Sequence, residues 1–175
     1  QKPALYYLSK IKELGYELRP GAEVEVEGIK YRINRIGFRD IEHRLLKADK
    51  RVIVVGDSLT FGWNVRLEDT FVSQTREKLE KEGRTIEILA MGIIGYNVKQ
   101  EYHLIMERGL KFDPDLVILQ IGPNDIERAL GIRTDPEEKF MLTQYGEISV
   151  PYVFKKTRFT HWLMETLRTF GIRRT

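Results

Sequence analysis

Residues Val52-Ile53-Val54-Val55 form an unbroken run of β-branched side chains. A strand with one wet face alternates polar and apolar residues. A strand without alternation is buried on both faces, so its sheet must be covered on either side. Two further short apolar runs, Ile86 to Leu89 and Leu116 to Leu119, follow at wide spacing. Between the three runs lie stretches of helical period. Phe71 to Lys81 places Phe71, Val72, Thr75 and Leu79 on one side, and Val98 to Arg108 does the same with Val98, Tyr102, Ile105 and Met106. Strand, helix, strand, helix, strand predicts an α/β fold: a doubly wound, three-layer parallel sheet of flavodoxin-like type with right-handed crossovers. A chain of 175 residues is long enough to bury such a core.

The flanks read differently. Pro3 to Leu14 reads as a short helix stopped by Gly15. Val24 and Val26 alternate with Glu23, Glu25 and Glu27. Gly28 breaks the run and Tyr31 and Ile33 resume it, which predicts a small hairpin. A polar stretch, Asn34 to Lys50, leads into the first strand. These fifty residues carry too little apolar material for a core of their own. The division expected is therefore 1–50 as an N-terminal helix, hairpin and lead-in, and 51–175 as the α/β domain. From Glu127 to Pro151 the periodicity fades into a loop or lid. Phe159, Trp162, Leu163, Thr166, Leu167 and Phe170 then form one amphipathic stripe, read as core.

Composition narrows the chemistry. There are no cysteines, which excludes a disulfide scaffold, a thiolate metal site and a cysteine nucleophile. No apolar run is long enough to span a membrane. A chain that opens on Gln1 lacks an initiator residue, so both a cytoplasmic domain and an exported one with a removed leader stay open. The net charge of +3 is local: Lys155 to Thr175 holds six basic residues and one acid, leaving 23 basic and 25 acidic residues elsewhere. That tail reads as a solvated helix face, and no nucleic-acid platform of interleaved aromatic and basic residues appears. Only three histidines exist, His43, His103 and His161.

Ligands of an open parallel sheet bind beyond the carboxyl ends of its strands. Each predicted strand here ends in a glycine-containing turn with small polar groups: Gly56-Asp57-Ser58-Leu59-Thr60-Phe61-Gly62, Ala90-Met91-Gly92-Ile93-Ile94-Gly95-Tyr96-Asn97, and Gly122-Pro123-Asn124-Asp125. Ser58 is either a helix cap or a nucleophile presented at the sheet edge. The phosphate-binding loop fails, since no lysine precedes Ser58. The hydrolase elbow also fails, because position 60 is threonine where glycine is needed. The residue types favour an acyl-transfer site.

Gly56-Asp57-Ser58-Leu59 resembles the first block of the GDSL, or SGNH, hydrolase family. Gly95 matches the glycine of its second block, and Gly122-Pro123-Asn124-Asp125 its third. The resemblance runs from Asn34 to Asp125, because Asn34-Arg35-Ile36-Gly37-Phe38-Arg39-Asp40 is similar to a lead-in of some bacterial members. It implies that Ser58 is the nucleophile. It also implies that the Ser58 and Gly95 backbone N–H groups and the Asn124 amide form an oxyanion hole, with Asp57 and Asp125 in support. No metal and no organic cofactor is implied. The partner is a small-molecule, lipid or carbohydrate ester.

Two departures stand out. Ala90 occupies a position where the family usually has asparagine. The family's Asp-x-x-His block, which supplies the general base, has no counterpart after Asp125. Arg158 lies three residues before His161, His103 sits within the second helix, and the one match, Asp40-Ile41-Glu42-His43, precedes the serine and is only a weak stand-in. The expectation is a chain that stops before its last sheet strand and catalytic dyad, and that is nearly inactive by itself. Three readings follow: a serine esterase of lipolytic type, a polysaccharide O-acyltransferase using the same nucleophile, and a non-catalytic binding module lacking the base.

Overall fold

The structure, a computed structural model, describes residues 4–47 and 50–122. The predicted lid, the amphipathic stripe, His161, Asn124 and Asp125 lie outside the described residues.

The first segment departs from expectation. In place of a helix it forms strand β1 (Tyr6–Leu8) paired antiparallel with β2 (Tyr16–Leu18), in the register Tyr6↔Leu18 and Leu8↔Tyr16. The apolar cluster Leu5-Tyr6-Tyr7-Leu8 imitates a helical stripe, but its partners lie beyond the loop. Leu5, Tyr6, Leu14, Tyr16 and Leu18 are buried while Leu8 is exposed. The Tyr6 and Tyr16 rings meet edge to face at 5.5 Å, the kind of cross-strand aromatic pair that stabilises a hairpin. Gly15, at φ +74°, turns the chain into β2.

The second hairpin is as expected: β3 (Glu23–Val26) and β4 (Ile29–Arg32). Its two-residue turn, Glu27-Gly28, has positive φ at both positions, the twist that suits a tight hairpin. Asn34 then folds the lead-in back on itself. Its side chain accepts from the Phe38 N–H at 2.9 Å and donates to the Ile41 carbonyl at 2.8 Å.

The sheet follows. Strand β5 (Lys50–Gly56) is central, with β6 (Ile86–Gly92) and β7 (Leu116–Leu119) parallel on either side. Residues of β5 alternate between two cores. Ile53 and Val55 pack with Leu89, Met91, Leu104 and Phe112, together with Leu5, Tyr16, Leu18, Tyr31 and Phe38 from the N-terminal hairpins and lead-in. Val54 packs the other way with Ile88, Ala90 and Val72. The β-branched run is thus buried on both faces, and the fold is α/β with a three-stranded parallel core.

A one-turn helix α1 (Ser58–Phe61) follows β5, α2 (Phe71–Lys81) precedes β6, and α3 (Val98–Glu107) precedes a 3-10 turn at Gly109–Phe112. Thr70 caps α2, and Asn97 with Gln100 forms a capping box on α3. The helix bounds match those expected to within one residue, and Val72 and Leu79 of α2 pack inward as expected, but Phe71 does not and the inner face of α3 differs. Phe71, Tyr102 and Met106 are exposed, and Val72, Glu101 and Leu104 are buried. Phe71 is the first residue after the Thr70 cap and points outward, and the polar Glu101 on the inner face of α3 disguised that face. Among the described residues no helix is long and apolar enough to cross a membrane.

Candidate active site

The order β6-β5-β7 means that the chain leaves β5 to one side and later returns to the other. The carboxyl end of β5 is therefore the topological switch point, where a crevice opens. The last register pair there is Gly56↔Gly92. Two bonds carry the pairing past it, from Ile93 N–H to the Gly56 carbonyl at 3.1 Å and from Gln120 N–H to the Val55 carbonyl at 2.8 Å. The loops holding Ser58, Gly95 and Gly122 all start from this edge.

Asp57, wholly buried, caps α1: its Oδ1 accepts from the Leu59 N–H at 3.0 Å. Ser58 is the first helical residue, half-buried, and its Oγ donates to Asp57 Oδ2 at 3.3 Å. The helix lasts one turn because Gly62 closes it in the left-handed conformation. Thr60, at the position where an elbow motif has glycine, donates through Oγ1 to Gln120 Oε1 at 3.1 Å and so ties the serine turn to the end of β7.

Arg39, from the lead-in, holds the far end of this turn. Its side chain is buried and donates to the carbonyls of Phe61 at 3.0 Å, Gly62 at 2.6 Å and Val65 at 2.8 Å. The guanidinium lies 4.5 Å over the Tyr31 ring, and Tyr31 in turn stacks on Trp63 at 5.2 Å. Burial lowers the Arg39 pKa from its usual value. Three carbonyls and two aromatic faces, Tyr31 and, at 5.4 Å, Phe61, make a site for a cation, so the loop 61–65 is fastened to the first fifty residues.

On the other side, the loop Ile93 to Asn97 turns with Gly95 at φ +81°. Tyr16 Oη donates to the Ile94 carbonyl at 2.7 Å. Neither the Ser58 N–H nor the Gly95 N–H has a hydrogen-bond partner among the described residues. Ala90 is interior to β6, not in the loop. Its side chain packs with Val54, Val72 and Ile88, so the departure from the family's asparagine lies in the apolar layer below the serine turn.

His43 is placed elsewhere. Its Nε2 meets Asp40 Oδ2 at 2.9 Å and its Nδ1 meets Glu87 Oε1 at 3.0 Å. Glu87 pairs in register with Arg51, five residues before Gly56, or about 16 Å along the strand. Both ring nitrogens are engaged by carboxylates at the amino-terminal half of the sheet, so neither is offered to Ser58. His103, on α3, packs edge to face with Tyr102. Neither histidine contacts Ser58.

Asp40 and His43 instead belong to a buried charge network. Asp40 accepts from the Ala90 N–H at 2.7 Å and from Arg76 at 2.9 Å, besides His43. Arg51, wholly buried, donates to Glu87 at 2.8 Å and to the carbonyls of Arg44, Leu45 and Phe112. Burial by itself would raise the Asp40 pKa, but hydrogen bonds from His43, Arg76 and the Ala90 N–H outweigh it and lower the pKa. A depressed folded-state pKa means that the contribution is present above the unfolded value and lost as pH falls through the folded one. Asp40→Asn should therefore cost about 3 kcal/mol at pH 7 by leaving Arg76 without its charge partner. The gap from the parent protein should narrow as the pH falls below about 5, read by urea unfolding across that range.

The GDSL-like Lipase/Acylhydrolase family model matches residues 54–149. Among solved structures, TesA is 22% identical, with a TM-score of 0.43, over 55% of this chain and 49% of its own. AlinE4, described as an SGNH-hydrolase family esterase, is 17% identical, with a TM-score of 0.39, over 71% of this chain and 96% of its own. The matched region thus spans about half the length of TesA. No curated protein sequence matches. The family match covers more than half of the chain and takes in all three loops at the carboxyl edge of the sheet, and on that ground the chain belongs to the GDSL-like lipase/acylhydrolase family.

Proposed function

We propose that this protein is a serine ester hydrolase of lipolytic type with Ser58 as nucleophile. One observation carries the reading. A half-buried serine opens a one-turn helix at the switch point, and its own N–H and that of Gly95 have no partner among the described residues. In the reaction, Ser58 Oγ attacks the ester carbonyl carbon, and the carbonyl oxygen takes up negative charge beside these N–H groups, with the Asn124 amide, outside the described residues, as the third donor the family resemblance implies. Neutral donors aimed at that oxygen stabilise it, and losing one typically costs about 3–4 kcal/mol. Asp57 fixes the start of the turn and Arg39 its end. Exposed Leu59 and half-buried Trp63 flank the serine as apolar surface for an acyl group. The base that this reading requires lies outside the described residues, since neither described histidine reaches Ser58. No cofactor takes part.

A fluorophosphonate probe applied to the full-length protein tests the assignment. The expected result is one covalent adduct, traced by peptide mass spectrometry to Ser58. A folded protein that takes up no label would instead be a non-catalytic binding module. Ester turnover measured with and without a sugar hydroxyl as acceptor separates hydrolysis from acyl transfer to a polysaccharide.

A further inference from the structure

The catalytic reading uses the Gly95 N–H but does not say what aims it. The peptide between Ile94 and Gly95 is trans, as are all the described peptide bonds. In a trans planar peptide the carbonyl and the N–H point in opposite directions. Whatever pins the Ile94 oxygen therefore sets the direction of the Gly95 N–H. The group that does so is the Tyr16 hydroxyl, which donates to that oxygen at 2.7 Å.

Tyr16 is well built for the task. It is buried, and its ring stands edge to face with Tyr6 at 5.5 Å and with Tyr96 at 5.3 Å, so the ring has little freedom to swing. The Tyr96 hydroxyl donates to the Tyr16 carbonyl, closing a mutual pair between hairpin and loop. Gln100, at the start of α3, donates to the Leu14 carbonyl at 2.9 Å and ties the same hairpin to the segment after the loop. A Cβ on residue 95 would lie 2.8 Å from the Tyr16 hydroxyl, with φ at +81° besides. Glycine at 95 thus serves both the backbone turn and the close approach of this hydroxyl. Donation to the carbonyl also polarises the peptide, which strengthens its N–H as a donor.

We infer that Tyr16 is a positioning residue for the oxyanion hole: its hydroxyl orients and polarises the 94–95 peptide so that the Gly95 N–H faces the substrate carbonyl. The inference rests on the serine-hydrolase reading above. It also gives the N-terminal hairpin a catalytic purpose, although Tyr16 is 78 residues from the carbonyl it holds.

The test is Tyr16→Phe in the full-length protein, which removes one oxygen and keeps the ring. With a short-chain p-nitrophenyl ester, kcat should fall about tenfold or more with KM within twofold of the parent. Amide exchange should accelerate at Tyr96, whose N–H closes the turn over the 94–95 peptide by donating to the Ile93 carbonyl at 3.2 Å, and stay unchanged over α3. Ser9→Ala is the comparator. It loosens the same hairpin by removing the Ser9 bonds to Glu17 and the Ile11 N–H, and it should lower stability while kcat per folded molecule holds. A Tyr16→Phe protein with kcat within twofold of the parent, or with exchange at Tyr96 unchanged, overturns the inference. So does an equal loss of kcat in both variants. If the parent protein neither hydrolyses the ester nor takes up the fluorophosphonate label, the hydrolase reading fails, and the exchange measurement still decides whether Tyr16 orients the peptide.

Discussion

Ser58→Ala should lower ester turnover by more than about a thousandfold, the scale typical for loss of a catalytic serine, and leave stability within about 0.5 kcal/mol of the parent. The two halves of this expectation come from different features of one turn. The cap of α1 is Asp57, not Ser58: Asp57 Oδ1 accepts the Leu59 N–H. Ser58 is the first helical residue, and its Oγ makes only a 3.3 Å contact with Asp57 among the described residues. Alanine is the best helix former at such a position. A serine present only to start the helix would therefore be replaced without consequence for activity. Asp57→Ala gives the opposite pattern in stability, losing about 1 kcal/mol with the cap. Initial rates on a short-chain p-nitrophenyl ester and urea midpoints for both variants separate the roles. Turnover of Ser58→Ala within tenfold of the parent would place the nucleophile elsewhere.

What could be read without coordinates was local. The run Val52 to Val55 carries no alternation, so its burial on both faces follows from the side chains alone. Helices α2 and α3 begin where Thr70 and Asn97 supply caps, and the Ser58 turn is marked by a glycine, a cap and a small nucleophile in succession. What could not be read depends on distant partners. Leu5 to Leu8 has helical spacing, and only its pairing with Tyr16 to Leu18 makes it a strand. Arg39 is one of 29 basic residues, and nothing in its neighbours announces that it will hold the carbonyls of residues 61, 62 and 65. The pair Asp40 and His43 has the spacing of a catalytic dyad, but that spacing does not say which end of the sheet will receive it. The fold places it beside Glu87 and Arg51.

Gly92→Ala should lower kcat by about a hundredfold although residue 92 touches no substrate. Strand β6 ends directly against the serine turn. A Cβ built on Gly92 lies 2.1 Å from the Phe61 nitrogen, 2.5 Å from the Thr60 carbonyl carbon and 2.6 Å from the Phe61 Cα. Heavy atoms in contact sit at about 3.5–4.0 Å, so the backbones must part by about 1 Å or more. All three obstructing atoms are backbone, and no side-chain rotation relieves them. Helix α1 is a single turn held at both ends, by the Asp57 cap and by Arg39, so the displacement falls on the turn that begins with Ser58. A misplacement of about 1 Å is enough to cost about a hundredfold in rate, and the overpacking costs about 1–3 kcal/mol in stability. Gly83→Ala is the control. Gly83 has positive φ, at +71°, which Gly92 does not, but a Cβ there meets nothing within 4 Å. That variant should lose about 1 kcal/mol from the backbone conformation alone with kcat unchanged. If Gly92→Ala keeps kcat within threefold of the parent while Gly83→Ala behaves as described, the serine turn is not braced by β6 and its geometry is set by Asp57 and Arg39 alone.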